Sequence, residues 1–413
     1  MKKFAIIGAG ISGLTTAHLL NEKGYETIIF EKESQPGGLI RCKLVNDSLY
    51  HICGGHVFNS KRQDVLDWFW SRFNQEEEFV KAERKAAVFI ENTEIIPYPI
   101  ENHIYYFDKQ VQQKIITDWL YIAKHPQESH NFEEFLLHRF GNTLYNIYFK
   151  PYNEKVWRRD LKTVPLSWLE GKLPMPSIPE MIYDNINHVE EKKFVHSTFW
   201  YEKNEGSQFI ANKLAKDLNI QYNTPITNIL YSKEKWIING VIFDGVIYCG
   251  NIKEIPSILK GVNIDDFINK IQALEYHGTT SVFCEIDNNP YSWIYQPSKE
   301  HQSHRIICTG NFSKNNNAPG TMTATIEFTD YINEEDIKQN LQKIPLHPKY
   351  LAHHYNQYTY PIQDINTRSL IKDFKSHMKN FNFFSTGRFA DWEYYNMDVA
   401  MGAAMDLVKQ LSF

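Results

Sequence analysis

A chain of 413 residues is long enough to bury a large core and to divide into two or three interleaved lobes. A formal charge of −5 at pH 7 excludes a general nucleic-acid binder, which needs a basic face to release counterions. No apolar run reaches the length of a signal peptide or a membrane span, and the 5 scattered cysteines fit reduced thiols in a cytoplasm better than a disulfide framework or a metal site.

In chain order, "KFAIIGAG" predicts a buried parallel strand that stops at glycine. Gly8, Gly10 and Gly13 form G-x-G-x-x-G, and "LTTAHLLNEKG" continues as a helix with Gly24 as its C-cap. "YETIIFEK" is the second strand, with Glu31 and Lys32 at its end. Gly8 permits the tight turn, Gly10 lets pyrophosphate approach the backbone, and Gly13 lets helix and strand pack closely. The helix N-terminus offers N–H groups and a positive dipole end to phosphate, and Glu31 can accept hydrogen bonds from ribose hydroxyls. Strand, turn, helix, strand and acid in that order specify a dinucleotide site.

The next stretch, "ESQPGGLIRC", holds Gly37, Gly38, Leu39 and Arg41. The glycine pair lets the chain pass close to an extended cofactor, and Arg41 can neutralise phosphate. It resembles the glycine-pair motif of the FAD-containing family that includes amine oxidases, protoporphyrinogen oxidase and UDP-galactopyranose mutase, which implies FAD as the cofactor. From about 100 to 190 the pattern is mostly helical, with Asn131 and Glu134 as a cap in "NFEEFLLHRF". It returns to α/β from about 205, becomes β-rich from about 270 to 330, and ends with a strand in "FNFFSTGR" and a helix from Asp398. The expected fold is α/β. A Rossmann-like FAD-binding domain in three parts (1–99, 196–260 and 376–413) is interrupted by a mainly helical, base-binding domain (100–195) and an antiparallel β-sheet substrate domain (261–375).

Several short segments, collinear along the chain, resemble UDP-galactopyranose mutases in particular. "GGHVFNS" resembles their histidine loop beside the flavin; Gly55 and His56 match it, whereas Asn59 stands where a second histidine is usual. "PYNEKVW" resembles the stretch in which Tyr152 would stack on the nucleotide base and Trp157 would line the sugar end. "WIYQPSKEHQSHRII" places a phosphate-facing tyrosine on Tyr295 and an arginine on Arg305. "GRFADWEYYNMDVA" resembles the C-terminal flavin motif: Gly387, Arg388, Tyr395, Asn396, Met397 and Asp398 would face the cofactor, and Arg388 with Tyr394 also the substrate diphosphate. Pro176 and His277 replace two arginines of the family pattern, with Thr279 beside the second, and Asn396 replaces an acid. Lys155, Arg158 and Arg159 are the basic groups available to substitute.

The resemblance implies an FAD-dependent pyranose/furanose mutase of a UDP- or other NDP-sugar. Reduced flavin N5 attacks the anomeric carbon, the nucleoside diphosphate departs and returns, and His56 and Arg388 serve as catalytic residues. It also implies NADPH or NADH as reductant, a homodimer in the cytoplasm, a place in cell-surface polysaccharide biosynthesis, and neither metal nor nucleic acid as partner. The alternative is an FAD-dependent oxidoreductase of the protoporphyrinogen or amine oxidase type, which needs no diphosphate cage. A non-catalytic flavin-binding protein would need a blocked cleft, and no feature of the sequence suggests one.

Overall fold

Strands drawn from both ends of the chain meet in one parallel sheet. In the computed structural model, which describes residues 1–91, 95–166, 176–189 and 198–411, the sheet order is Phe383–Ser385, Gly245–Tyr248, Lys3–Ile7, Glu26–Phe30 and Ile220–Gln221. Every neighbouring pair is parallel. The near-continuous apolar strands follow from burial on both faces. Phe4, Ile6, Ile29 and Ile247 pack against the helices Ile11–Glu22, Ser207–Ala215 and Met397–Gln410. Ala5, Ile7, Ile28, Phe30, Val246 and Tyr248 pack against a four-stranded sheet of residues 229–243 and 259–260, and against the helix Thr367–Lys379. The C-cap of the first helix is Lys23, and Gly24 lies one position beyond it at φ +82°, the left-handed residue that follows a helix end.

A seven-stranded sheet stands beside this unit, in the order Lys349–Pro361, Tyr276–Glu285, Thr323–Thr329, Arg305–Ile307, Trp293–Tyr295, Ala86–Val88 and Ile96–Pro97. It is antiparallel except where Trp293–Tyr295 runs parallel to Ala86–Val88. One face buries Val282, Ile294, Ile306, Ile326 and Phe328 against the helix Glu334–Leu341. On the opposite face Phe283 clusters with Tyr50, Ile52 and Cys53, and the alternating Thr323, Thr325 and Glu327 are buried with it.

A helical lobe closes the third side. The helices Lys109–Lys124, Phe132–Leu144, Lys150–Trp157 and Ile178–Asn187 share a core of Trp119, Leu136, Phe140, Phe149, Trp157 and Met181. Asn131 caps the second by accepting from the Glu134 N–H at 2.9 Å. That helix breaks at Gly141, whose φ of +86° and 2.6 Å clearance between an added Cβ and the Cβ of Asp118 admit only glycine. Among the described residues, no helix is long and apolar enough to cross a membrane. The departure at Pro176 is described, whereas residues 167–175 before it lie outside the described residues.

Candidate active site

The first glycine turn is shaped by contacts that only glycines allow. A Cβ on Gly13 would sit 2.0 Å from the Gly8 carbonyl oxygen, so the helix could not lie so close to the strand. A Cβ on Gly10 would meet nothing within 4 Å, which leaves open space at the N-terminus of the helix Ile11–Glu22. No side chain caps that terminus and no acid lies in its first turn, so its N–H groups remain available to an anion.

The second glycine pair is joined directly to the first. The Gly37 N–H donates to the Ala9 carbonyl at 2.9 Å, and a Cβ on Gly38 would lie 3.4 Å from the Gly10 Cα. Glu31 is buried and accepts from the Ala9 N–H at 2.6 Å and the Glu33 N–H at 3.0 Å. Arg41 donates to the Gly38 carbonyl at 3.0 Å and lies 3.4 Å from Glu33. Lys32 is exposed and Leu39 half-buried. Gly387, at φ +121°, packs on the start of the first helix, where an added Cβ would lie 3.0 Å from Ser12 Oγ. A capless helix terminus, an open glycine face and a second glycine turn docked on the first together fit the extended diphosphate of FAD.

From this end a cavity of about 890 Å³ runs towards the helical lobe. Gly55, His56, Tyr395, Asn396, Met397 and Asp398 line its cofactor end; Phe132, Leu136, Tyr152 and Trp157 line the far end, with Tyr295, Arg305 and Tyr394 also in the wall. The His56 Nε2 is buried without a hydrogen-bond partner, and burial followed by the Arg388 charge lowers the ring's pKa to about 4. Asn59 donates to the Thr198 carbonyl at 2.9 Å and so pins the loop. Asp398 is buried in the first turn of the helix Met397–Gln410, which begins one residue earlier than expected with Asn396 as its cap residue. Burial raises the Asp398 carboxyl, against the Ser60 hydroxyl and the helix N–H groups.

Tyr152 stacks on Tyr148 at 5.6 Å and meets Tyr295 edge-on at 5.4 Å. Tyr394 stacks on Tyr360 at 5.4 Å with the rings 2° from parallel. Trp157 is buried, and its carbonyl accepts from His277 Nε2 at 2.7 Å, while His277 Nδ1 lies 3.0 Å from Asp330.

The expected cations are placed differently. Arg305 lines the cavity, but its Nε donates to Glu327 at 2.7 Å and its Nη2 to the same carboxylate and to Tyr360. Burial would raise the Glu327 carboxyl, yet Arg305 outweighs it and holds the pKa down at about 2. Arg388 lies over the Tyr394 ring at 4.6 Å and is not part of the cavity wall. Its Nε donates to the Tyr395 carbonyl at 3.0 Å and its Nη1 to the Thr359 carbonyl at 3.2 Å.

Lys155, Arg158 and Arg159 do not substitute either, because none of them lines this cavity. Lys155 donates to the Gln296 and Ser303 carbonyls at 3.1 and 2.8 Å, and burial lowers its pKa to about 7. Arg158 lies 3.8 Å from Asp330, and Arg159 lies 2.8 Å from Glu275. The cavity's other basic side chains are Lys61, Arg62, Arg84 and Arg368, which no local motif marks. Tyr98, Tyr360 and His304 of the wall are equally unmarked.

The sheet and its glycine turn have a Rossmann-like arrangement, and a family model described as "NAD(P)-binding Rossmann-like domain" matches residues 6–73. The chain is 22% identical to UDP-galactopyranose mutase of Mycoplasma genitalium, over 98% of this chain and 94% of that protein. It is 28% identical to dTDP-fucopyranose mutase of Escherichia coli, over 42% of this chain and 46% of that one. A solved structure of reduced UDP-galactopyranose mutase superposes with a TM-score of 0.88 at 21% identity, covering 99% of this chain and 93% of that one. A putative protoporphyrinogen oxidase from Exiguobacterium superposes with a TM-score of 0.75 at 13% identity, over 99% and 98%. The expected α/β architecture is borne out, and the resemblance to UDP-galactopyranose mutases runs the length of the chain.

Proposed function

We propose that the protein is an FAD-dependent isomerase that interconverts the pyranose and furanose forms of a nucleotide-activated sugar. The observation that carries this reading is one continuous cavity of about 890 Å³ that reaches from His56 and Asp398 to Tyr152 and Trp157 and would admit a sugar between a flavin and a stacked base.

Reduced FAD, when bound, supplies a nucleophilic N5 for the anomeric carbon. Gly10 and the first helix terminus would hold the cofactor's pyrophosphate, Glu31 its ribose, Arg41 its charge, and Lys32 and Leu39 its flank. Gly55, Gly387 and residues 395–398 would frame the ring. Tyr152 would stack on the base, and Trp157 would close the sugar end against water. The Tyr295 and Tyr394 hydroxyls would donate to the diphosphate as it leaves, so that it stays in place to return. Neutral His56 would orient the sugar side without adding charge. Arg388 would act through Tyr394, bracing that ring while tying down the Tyr395 carbonyl. We extend the proposal to NADPH or NADH as reductant, a homodimer in the cytoplasm, and a furanosyl donor for cell-surface polysaccharide.

The engaged arginines favour one rival, a flavin oxidoreductase that binds no diphosphate. Dithionite-reduced protein incubated with UDP-galactofuranose and other furanose donors should form the pyranose isomer without net redox change. Turnover only with oxidised flavin and an electron acceptor would establish the rival instead.

A further inference from the structure

The helix Lys150–Trp157 carries both Tyr152 and Trp157, and too little of its own structure fixes where it lies. It has 8 residues and is entered through a π-helical turn at Tyr145–Phe149, so ties to the rest of the fold set its position. The chain leaves it at Arg158, a left-handed residue at φ +45°. Two carbonyls of its last turn find partners on the large sheet. The Lys155 carbonyl accepts from Thr329 Oγ1 at 2.8 Å, and the Trp157 carbonyl from His277 Nε2 at 2.7 Å. The end of a helix needs such donors, and its dipole favours a cation among them.

The other ring nitrogen of His277, Nδ1, lies 3.0 Å from the Asp330 carboxylate. Burial would raise the Asp330 carboxyl, yet the hydrogen bonds from His277 and from the Gly278 N–H at 2.8 Å outweigh it and keep the group ionised. A carbonyl and a carboxylate only accept, so both ring nitrogens donate and the ring is an imidazolium. Both of its N–H groups are then spent on the protein, and none is left for a ligand, although the ring lines the cavity.

We propose that His277 is a positioning residue for nucleotide binding: held by Asp330 as a two-donor cation, it locks the end of the helix Lys150–Trp157 to the large sheet and so fixes Tyr152 and Trp157. The proposal rests on the mutase reading, which places the base on Tyr152. It gives the position where the family pattern has an arginine a different task, bracing the pocket instead of meeting the substrate. Thr329 and Asp330 are consecutive, so the helix end is held by two adjacent ties, one direct and one through His277. Lys155 Nζ holds the same helix to the Gln296 and Ser303 carbonyls, so loss of His277 loosens the end without releasing the helix. Glutamine at 277 donates from only one of its two polar atoms and cannot replace both bonds of the ring.

The test is calorimetric titration of oxidised, flavin-loaded protein with UDP and with uridine, in wild type, His277→Gln, Asp330→Asn and the double variant. His277→Gln should keep the wild-type flavin spectrum and weaken UDP and uridine by the same factor, about 10-fold, because the stacking surface itself is displaced. Asp330 sits at φ +63°, a conformation asparagine adopts readily, so Asp330→Asn keeps the shape and stands as the measurement should the glutamine variant not fold. It removes the charge facing the ring and should weaken both ligands about 3-fold. The double variant should bind no more weakly than His277→Gln alone, since the two residues act as one brace. Selective ¹⁵N labelling of the histidines should show a proton on each ring nitrogen of His277 in wild type, at the pH of the titration. Weakened UDP with unchanged uridine would make His277 a diphosphate ligand and overturn the proposal. Unchanged binding of both ligands in the variants, or a bare ring nitrogen in wild type, would overturn it too. A wild-type protein that binds neither UDP nor uridine would overturn the mutase reading itself.

Discussion

Glu327→Gln removes one charge from a buried pair and changes the shape of the side chain hardly at all. The Glu327 side chain is 1% exposed and that of Arg305 18%. One carboxylate oxygen takes the Arg305 Nε at 2.7 Å, and the other takes the Gly54 N–H at 3.0 Å. Arg305 holds the carboxyl at about 2 against an ordinary 4.5. At about 1.4 kcal/mol per pH unit, that depression contributes about 3 kcal/mol to folding at neutral pH. The figure agrees with the ~3–5 kcal/mol lost when one partner of a buried ion pair is deleted. Because the folded pKa lies below the unfolded one, the contribution is complete above about 5 and fades as pH falls through 4.5 towards about 2. Urea unfolding followed by tryptophan fluorescence should give the variant a deficit of about 3 kcal/mol at pH 7, smaller by about 1 kcal/mol at pH 4. Arg305→Met with Glu327→Met should recover much of it, since no charge is then buried alone. A deficit under about 0.5 kcal/mol at pH 7, or one unchanged at pH 4, would refute the account.

Gly13→Ala would drive a Cβ to 2.0 Å from the Gly8 carbonyl oxygen, so flavin-to-protein absorbance should drop to under about a tenth of wild type and stability by about 3 kcal/mol. Tyr152→Ala should weaken UDP binding about 10-fold through lost stacking, while Tyr152→Phe should stay within about 2-fold. His56, with a pKa of about 4, should remain neutral from pH 5.5 to 8, and a ring NMR titration with an inflection near 6.5 would contradict that. Its folded pKa lies below the unfolded 6.5, so it costs stability progressively as pH falls below 6.5. Arg388→Ala should keep bound flavin and lose about 10-fold or more in kcat, because the Tyr394 and Tyr395 backbone loses its tether. Unchanged kinetics would remove Arg388 from the machinery.

The cofactor turn was legible because each glycine's task is local: Gly13 meets the Gly8 backbone within a single turn, and Gly10 leaves open space beside it. The fate of the cations was not. Arg305 faces Glu327 only through the antiparallel register of their strands, and nothing near either residue in the chain announces it. Arg84 donates to Tyr295 beside the parallel pairing of Ala86–Val88 with Trp293–Tyr295, the two residues lying 211 positions apart in the chain. Arg388 reads as a substrate arginine in its motif, yet carbonyls at Thr359 and Tyr395 take its N–H groups. The long strand Lys349–Pro361 escaped for another reason: it forms a sheet edge, most of its residues are half-buried, and "KYLAHHYNQYTYP" shows no apolar alternation. Ala86–Val88 and Ile96–Pro97, grouped in the sequence with the cofactor part, pair instead with the large sheet.

The parallel sheet that places Lys3–Ile7 beside Gly245–Tyr248, and that strand beside Phe383–Ser385, also orders events during synthesis. A ribosome adding about 5–20 residues per second releases the first glycine turn tens of seconds before the last helix. Through that interval Phe4, Ile6 and Ile29 lack the cover of Met401, Met405 and Val408, and the ligand surface lacks Gly387 and Asp398. The ligand surface is therefore incomplete until the helix Met397–Gln410 docks on those strands, and any capture of flavin waits on that docking.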